Sequence, residues 1–153
     1  MAIDILLVED NEGDVRLLRE VLLETNRTVR LHVVADGSEA MAFLRYQGPY
    51  LEVPRPDIIL LDLKMPKMDG LEVLAQVKAD PWLKTIPIIV LTTSQAEPDI
   101  VQSYKLMASC YLTKPAEWKE FERLVQCLND FWLTSVTFPK QAKTPGPIGK
   151  TTP

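Results

Sequence analysis

Short runs of Ile, Leu and Val alternate with longer stretches in which apolar residues recur at helical spacing, five times along the 153-residue chain. That alternation predicts a parallel sheet covered by helices on both faces. The apolar runs predict strands over 3–8, 29–34, 58–61, 88–91 and 110–112. The first, third and fourth are almost wholly Ile, Leu and Val, as central strands buried on both faces must be. The intervening pattern predicts helices over 11–25, 38–46, 70–80, 97–107 and 118–132. In the first of these, Val15, Leu17, Leu18, Val21 and Leu22 share a stripe, while Arg16, Arg19 and Glu20 fall elsewhere around the helix. It therefore reads as a surface helix docked on a sheet. Asp36-Gly37-Ser38 supplies a turn and N-cap for the second helix, and Asp69-Gly70 does so for the third. Pro81 and Pro87 close the third helix and lead into the fourth strand.

Three segments fall outside this rhythm. QGPYLEVPRP at 47–56 is long beside the usual αβ connection of about 2–6 residues. It reads as a surface excursion, either a recognition element or a tolerated insertion. Phe131, Trp132, Leu133, Val136 and Phe138 form an apolar end to the last helix, which either folds back on the domain or makes a partner surface. From Pro139 the sequence is Pro, Gly, Thr and Lys with almost nothing apolar. Residues 139–153 are thus expected to be a flexible tail on a domain spanning 1–138, with no room for a folded output domain.

Charge and cysteines exclude several classes. With 17 basic and 21 acidic side chains the net charge is −4, which offers no basic field for nucleic acid. Cys110 and Cys127 lack CxxC spacing and have one histidine, His32, for company, so neither a disulfide framework nor a zinc site is expected. His32 lies in a predicted strand and reads as a structural or surface imidazole rather than a catalytic one. No apolar run approaches the ~18 residues of a membrane span, and no basic leader precedes one. A cytoplasmic protein without nucleic-acid or membrane partners is the expectation.

Right-handed crossovers bring the C-terminal ends of parallel strands to one edge, where ligands bind at the point of strand-order reversal. At those ends stand Glu9-Asp10, Asp62, Thr92-Thr93-Ser94 and Thr113-Lys114-Pro115. Three carboxylates repel one another unless a cation joins them. Mg²⁺ suits such a set, since it takes oxygen ligands from one or two carboxylates and from phosphate. Asp62 on the central strand is then a nucleophile able to form an acyl phosphate, with Lys114 neutralising the transferred group and Thr92 hydrogen-bonding one of its oxygens.

LLVEDN at 6–11, LLDLKMPKMDG at 60–70, LTTS at 91–94 and YLTKP at 111–115 occur in one register. Together they resemble the receiver domain of two-component response regulators over about residues 3–131. The resemblance implies a flavodoxin-like (βα)5 doubly wound sheet of strand order 2-1-3-4-5. It implies Asp62 as acceptor of phosphate from a histidine kinase, and Mg²⁺ held by Asp10, Asp62 and the Lys64 carbonyl, with Glu9 acting through water. It also implies a cis peptide before Pro115, and Thr92 with Tyr111 as a switch pair; packing alone is the other reading of Tyr111. The excursion at 47–56, SYKL, CYLTK and DFWLTSVTFP are similar to small single-domain regulators serving cyanobacterial and bacterial phytochromes. That narrower likeness implies a phytochrome kinase, a downstream protein target, and a homodimer through the fourth helix, fifth strand and C-terminal extension. Met107-Ala108 departs from the Gly-Ala common at this turn among receivers. An aspartate-nucleophile phosphatase is the competing reading, but such enzymes resemble a DxD arrangement and Asp62 is followed by Leu63 and Lys64. A nucleotide binder would need a Gly-rich phosphate loop, which follows no strand here.

Overall fold

The computed structural model describes residues 2–24 and 28–139. Strands β1 (Ile3–Val8), β2 (Val29–Val34), β3 (Ile58–Leu61), β4 (Ile88–Thr92) and β5 (Cys110–Thr113) form one sheet. Helices α1 (Glu12–Leu22), α2 (Gly37–Leu44), α3 (Gly70–Ala79), α4 (Glu97–Lys105) and α5 (Trp118–Trp132) connect them and follow the last strand. The strands are parallel in the order β2-β1-β3-β4-β5, the flavodoxin-like arrangement expected. Its topological switch point lies between β1 and β3, which pair with each other while their chains continue to opposite sides.

Strand alternation divides the core in two. Leu6, Val8, Ile59, Leu61, Ile88 and Val90 pack under α2 and α3. Ile3, Ile5, Leu7, Ile58, Leu60 and Ile89 pack under α1 and α5. β1, β3 and β4 are buried throughout, which explains their apolar composition. The predicted stripe of α1 faces this second layer: Leu17, Leu18, Val21 and Leu22 are buried and Val15 is partly so.

The starts of α1, α2 and α3 are fixed by side-chain caps. Asn11, Asp36 and Asp69 accept the N–H groups of Asp14, Glu39 and Glu72 at 2.9, 2.9 and 3.0 Å. α2 begins one residue earlier than the pattern predicts because Asp36 alone is the cap. Gly37 is then helical, and its N–H donates to the Met68 carbonyl at 3.1 Å. A Cβ there would lie 2.2 Å from that oxygen, so the approach of α2 to the β3–α3 loop requires glycine. β4 and β5 run one residue further than predicted, to Thr92 and Thr113. α4 stops at Lys105 and the chain turns through Met107 with φ 70°. Thr25, at the end of the predicted first helix, and 140–153 of the predicted tail lie outside the described residues.

The 47–56 excursion is tied down. Gly48–Tyr50 makes a 3₁₀ turn, the Tyr50 hydroxyl donates to Glu39, and its ring sits 5.3 Å from Phe43. Arg55 is buried and donates to the Trp82 carbonyl and Thr85 Oγ1, each at 2.9 Å, with its guanidinium 5.1 Å from the Trp82 ring. The apolar end largely folds back: Leu133 is buried and Phe138 stacks on Trp132 at 6.5 Å, whereas Phe131 stays exposed. His32 is structural, 3.2 Å from Asp4 Oδ1 and tilted against Phe43. Both cysteines are free thiols, and no helix among the described residues is long and apolar enough to cross a membrane.

One expectation fails. The described residues contain no cis peptide, so the Lys114–Pro115 bond is trans. For X–Pro the two isomers differ by only about 0.5–1 kcal/mol, so neither is compelled by sequence. What aims Lys114 here is its backbone N–H, bonded to the Thr92 carbonyl at 2.7 Å, together with the carboxylates around its ammonium.

Candidate functional site

Glu9 and Asp10 follow β1, Asp62 follows β3, Thr92 ends β4 and Lys114 follows β5, so all five stand on one edge of the sheet. Glu9, Asp62, Thr92 and Lys114 are buried, and Asp10 is exposed. Lys114 Nζ donates to Glu9 Oε1 at 2.6 Å and Asp14 Oδ2 at 2.8 Å, and lies 3.5 Å from Asp62 Oδ2. One carboxylate oxygen from each of Glu9, Asp10 and Asp62 falls within 4.8 Å of the others. The sequence brings these groups together from positions more than 100 residues apart because the strands that carry them are neighbours.

Local packing sets the end of β3 that carries Asp62. The Gly70 N–H donates to the Leu63 carbonyl at 3.0 Å, and a Cβ on Gly70 would meet the Asp62 carbonyl oxygen at 2.4 Å. Glycine therefore lets α3 start directly against Asp62. The Lys64 N–H donates to Asp62 Oδ1 at 3.3 Å, and the Asn11 N–H donates to Glu9 Oε2 at 3.1 Å. Thr92 Oγ1 accepts the Ser94 N–H at 3.4 Å.

Charge is unevenly balanced here. Burial, and secondarily the nearby Asp62 charge, push the Glu9 carboxyl from an ordinary 4.5 up to about 7 despite its contact with Lys114. Burial acts to lower Lys114, but its hydrogen bonds to Asp14 and Glu9 outweigh that and leave it above the usual lysine value. Both groups hold their protons, Glu9 through burial and Lys114 through its acceptors Asp14 and Glu9, in a cluster with more carboxylates than cations. A divalent cation answers that excess, and the donor set, hard oxygens with an adjacent ammonium, fits Mg²⁺ or a similar ion. Of the four predicted metal donors, Glu9, Asp10 and Asp62 are thus brought together; Lys64 stands beside Asp62 through its backbone.

Thr92 and Tyr111 are on adjacent strands, but a third residue links Tyr111 to the loop. The Tyr111 hydroxyl donates to the Ser94 carbonyl at 2.9 Å, and the Ser94 hydroxyl donates to Asp99 Oδ2 at 2.5 Å. Lys64 Nζ lies 3.4 Å from the same Asp99 oxygen. Of these residues, Lys64 and Asp99 line an open groove of about 380 Å³ between the β3–α3 loop and the start of α4. Two residues of this neighbourhood escaped sequence reasoning. Asp14 sits in the first turn of α1, where an acid is expected as a dipole partner and so carries no distinguishing signal. Asp99 holds the equivalent place in α4.

Residues 5–126 match the model of the response regulator receiver domain. Response regulator Rcp1 of Synechocystis sp. is 51% identical over 135 residues, covering 88% of this chain and 92% of that protein. The crystal structure of the Mn²⁺-bound form of Rcp1 superposes with a TM-score of 0.88 at 50% identity, covering 90% of this chain and 99% of the other. The phosphorylated cyanobacterial phytochrome response regulator RcpA superposes with a TM-score of 0.89 at 47% identity, covering 92% and 100%. Fold, edge chemistry and likeness agree on the signalling class and lend nothing to the phosphatase reading: the chain belongs to the response regulator receiver family and is similar within it to Rcp1 and RcpA.

Proposed function

We propose that Asp62 accepts a phosphoryl group from a histidine kinase, with Mg²⁺ held by Asp10, Asp62 and the Lys64 carbonyl and by Glu9 through water. The observation that carries this reading is the convergence of Lys114 Nζ on Glu9 at 2.6 Å and Asp62 at 3.5 Å, beside the Glu9, Asp10 and Asp62 oxygens. An Asp62 oxygen bonds to phosphorus as the P–N bond of the kinase phosphohistidine breaks and the imidazole departs. Lys114 pairs with the transferred group, and Thr92 turns its hydroxyl from the Ser94 N–H towards a phosphoryl oxygen. When bound, the metal supplies positive charge to the phosphoryl oxygens.

The protein catalyses its own phosphorylation and dephosphorylation and signals through altered surface. Tyr111 is the second switch residue, since its ring is held by one hydrogen bond to the loop that follows Thr92. The likeness to RcpA supports a phytochrome as the kinase, and therefore a cytoplasmic location and a protein target. A homodimer through α4, β5 and the C-terminal extension is supported by the exposed Val101, Tyr104, Met107 and Phe131. The domain boundary is drawn after Phe138, supported by the loss of apolar residues from Pro139 onward.

The test is phosphotransfer. Wild-type protein with Mg²⁺ and a phosphorylated histidine kinase is expected to take up one acid-stable, base-labile phosphoryl group, and Asp62→Asn none. Label retained in Asp62→Asn overturns the assignment, and rapid multiple turnover of phosphate esters restores the phosphatase reading.

A further inference from the structure

The three N–H bonds of the Lys114 ammonium face three acceptors, and the closest pairings are not with the proposed acceptor. Nζ is 2.6 Å from Glu9, 2.8 Å from Asp14 and 3.5 Å from Asp62. Of these carboxylates, Glu9 and Asp62 belong to the group able to hold a cation, and Asp14 does not. Asp14 is fixed independently: it is the third residue of α1, and its own N–H is bonded to the Asn11 cap at 2.9 Å. A metal ion that recruits Glu9 and Asp62 leaves Asp14 as the lysine's remaining anionic partner.

We infer that Asp14 is a positioning residue for Lys114, holding its buried ammonium at 2.8 Å and competing with the phosphoryl group for it. This rests on the phosphoacceptor reading above. A phosphoryl oxygen entering at Asp62 must draw the ammonium towards itself against Asp14, and the Asp14 charge also repels the incoming anion. Asp14 therefore biases the switch towards its resting state. It acts through Lys114 and touches neither metal nor phosphoryl group.

Beryllofluoride titrated into full-length protein with saturating Mg²⁺, followed by amide NMR, measures the competition directly. Asp14→Asn keeps the size and an acceptor oxygen but removes the charge, and is expected to tighten beryllofluoride binding about tenfold at low salt. The gain shrinks as salt rises. Asp14→Glu, which restores the charge, is expected to return towards wild-type affinity, whereas a merely structural role predicts weaker binding in both variants. On the unaltered protein, the Lys114 ammonium is expected to give an exchange-protected ¹⁵N signal with Mg²⁺ alone that shifts when beryllofluoride is added. Wild-type protein that takes up no beryllofluoride overturns the phosphoacceptor reading and this role with it. Wild-type binding with unchanged or weakened binding in Asp14→Asn, or an unprotected Lys114 ammonium, overturns the Asp14 role alone.

Discussion

The Tyr111 hydroxyl donates to the Ser94 carbonyl at 2.9 Å, tying edge strand β5 to the loop that follows Thr92. The same loop is tied onward, through the Ser94 hydroxyl and Asp99, to Lys64 beside the proposed acceptor. Removing one hydroxyl therefore unfastens the ring without emptying its packing. Tyr111→Phe is expected to lower stability by about 0.5–1.5 kcal/mol, the net worth of one such bond, in urea unfolding. Amide shifts at Ser94 and Asp99 should change in the resting protein and respond less to beryllofluoride. Identical responses in both proteins would show that Tyr111 only packs.

Gly70 is placed where no side chain fits. A Cβ would stand 2.4 Å from the Asp62 carbonyl oxygen and 2.7 Å from Leu63 Cα, both backbone atoms that cannot swing aside. Gly70→Ala is expected to cost about 1–3 kcal/mol as α3 is forced off the strand end. At this chain length each kcal/mol lowers the melting temperature by about 2–4 °C, readable by calorimetry. Mg²⁺ affinity should fall as well, because the displaced backbone carries Asp62.

Met107 carries the opposite kind of strain. It follows α4 with φ 70° and a largely exposed side chain, so it takes a left-handed conformation without burying much in return. Met107→Gly is expected to raise stability by about 0.5–1 kcal/mol, the relieved strain less the extra freedom of glycine in the unfolded chain. Met107→Ala keeps the Cβ and is expected to gain nothing. A gain in both variants would point to the exposed thioether rather than the backbone.

Much of this was legible because period and chemistry coincided. β1, β3 and β4 are apolar on both faces because helices cover both faces, and the strand ends bearing Glu9, Asp62, Thr92 and Lys114 gather because the strands are parallel. What stayed hidden depends on distances that no period encodes. Asp4 sits inside the apolar run of β1, yet it is fully buried and accepts Arg30 Nε and Nη2 at 2.7 and 2.9 Å from the paired position on β2. Its partner becomes visible only once β2 lies beside β1 in register. Asp14 was hidden for the same reason, since its partner is 100 residues away. For the 47–56 excursion the sequence leaves a recognition element and a tolerated insertion equally open, because Arg55 finds the Trp82 ring and carbonyl only in three dimensions.

Glu9 makes the site sensitive to pH near neutrality, and the sign follows from its raised value. Folded Glu9 titrates at about 7 against an ordinary 4.5, chiefly because it is buried. Between those values the folded protein keeps a proton that the unfolded chain has released, so the metal-free protein loses stability as pH rises through the window. Lys114 acts elsewhere: its raised value gives stability that is full below the ordinary 10.5 and is lost only as pH climbs through the folded value. A cation that needs ionised Glu9 must displace the proton. Mg²⁺ affinity is therefore expected to increase with pH up to about 7 and then level off. Isothermal titration at about pH 6 in two buffers of different ionisation enthalpy should show proton release approaching one per ion. Glu9→Gln should abolish that release and flatten the stability loss between 4.5 and 7. A binding enthalpy independent of buffer in the wild type would mean that Glu9 is already ionised, held so by Lys114 at 2.6 Å.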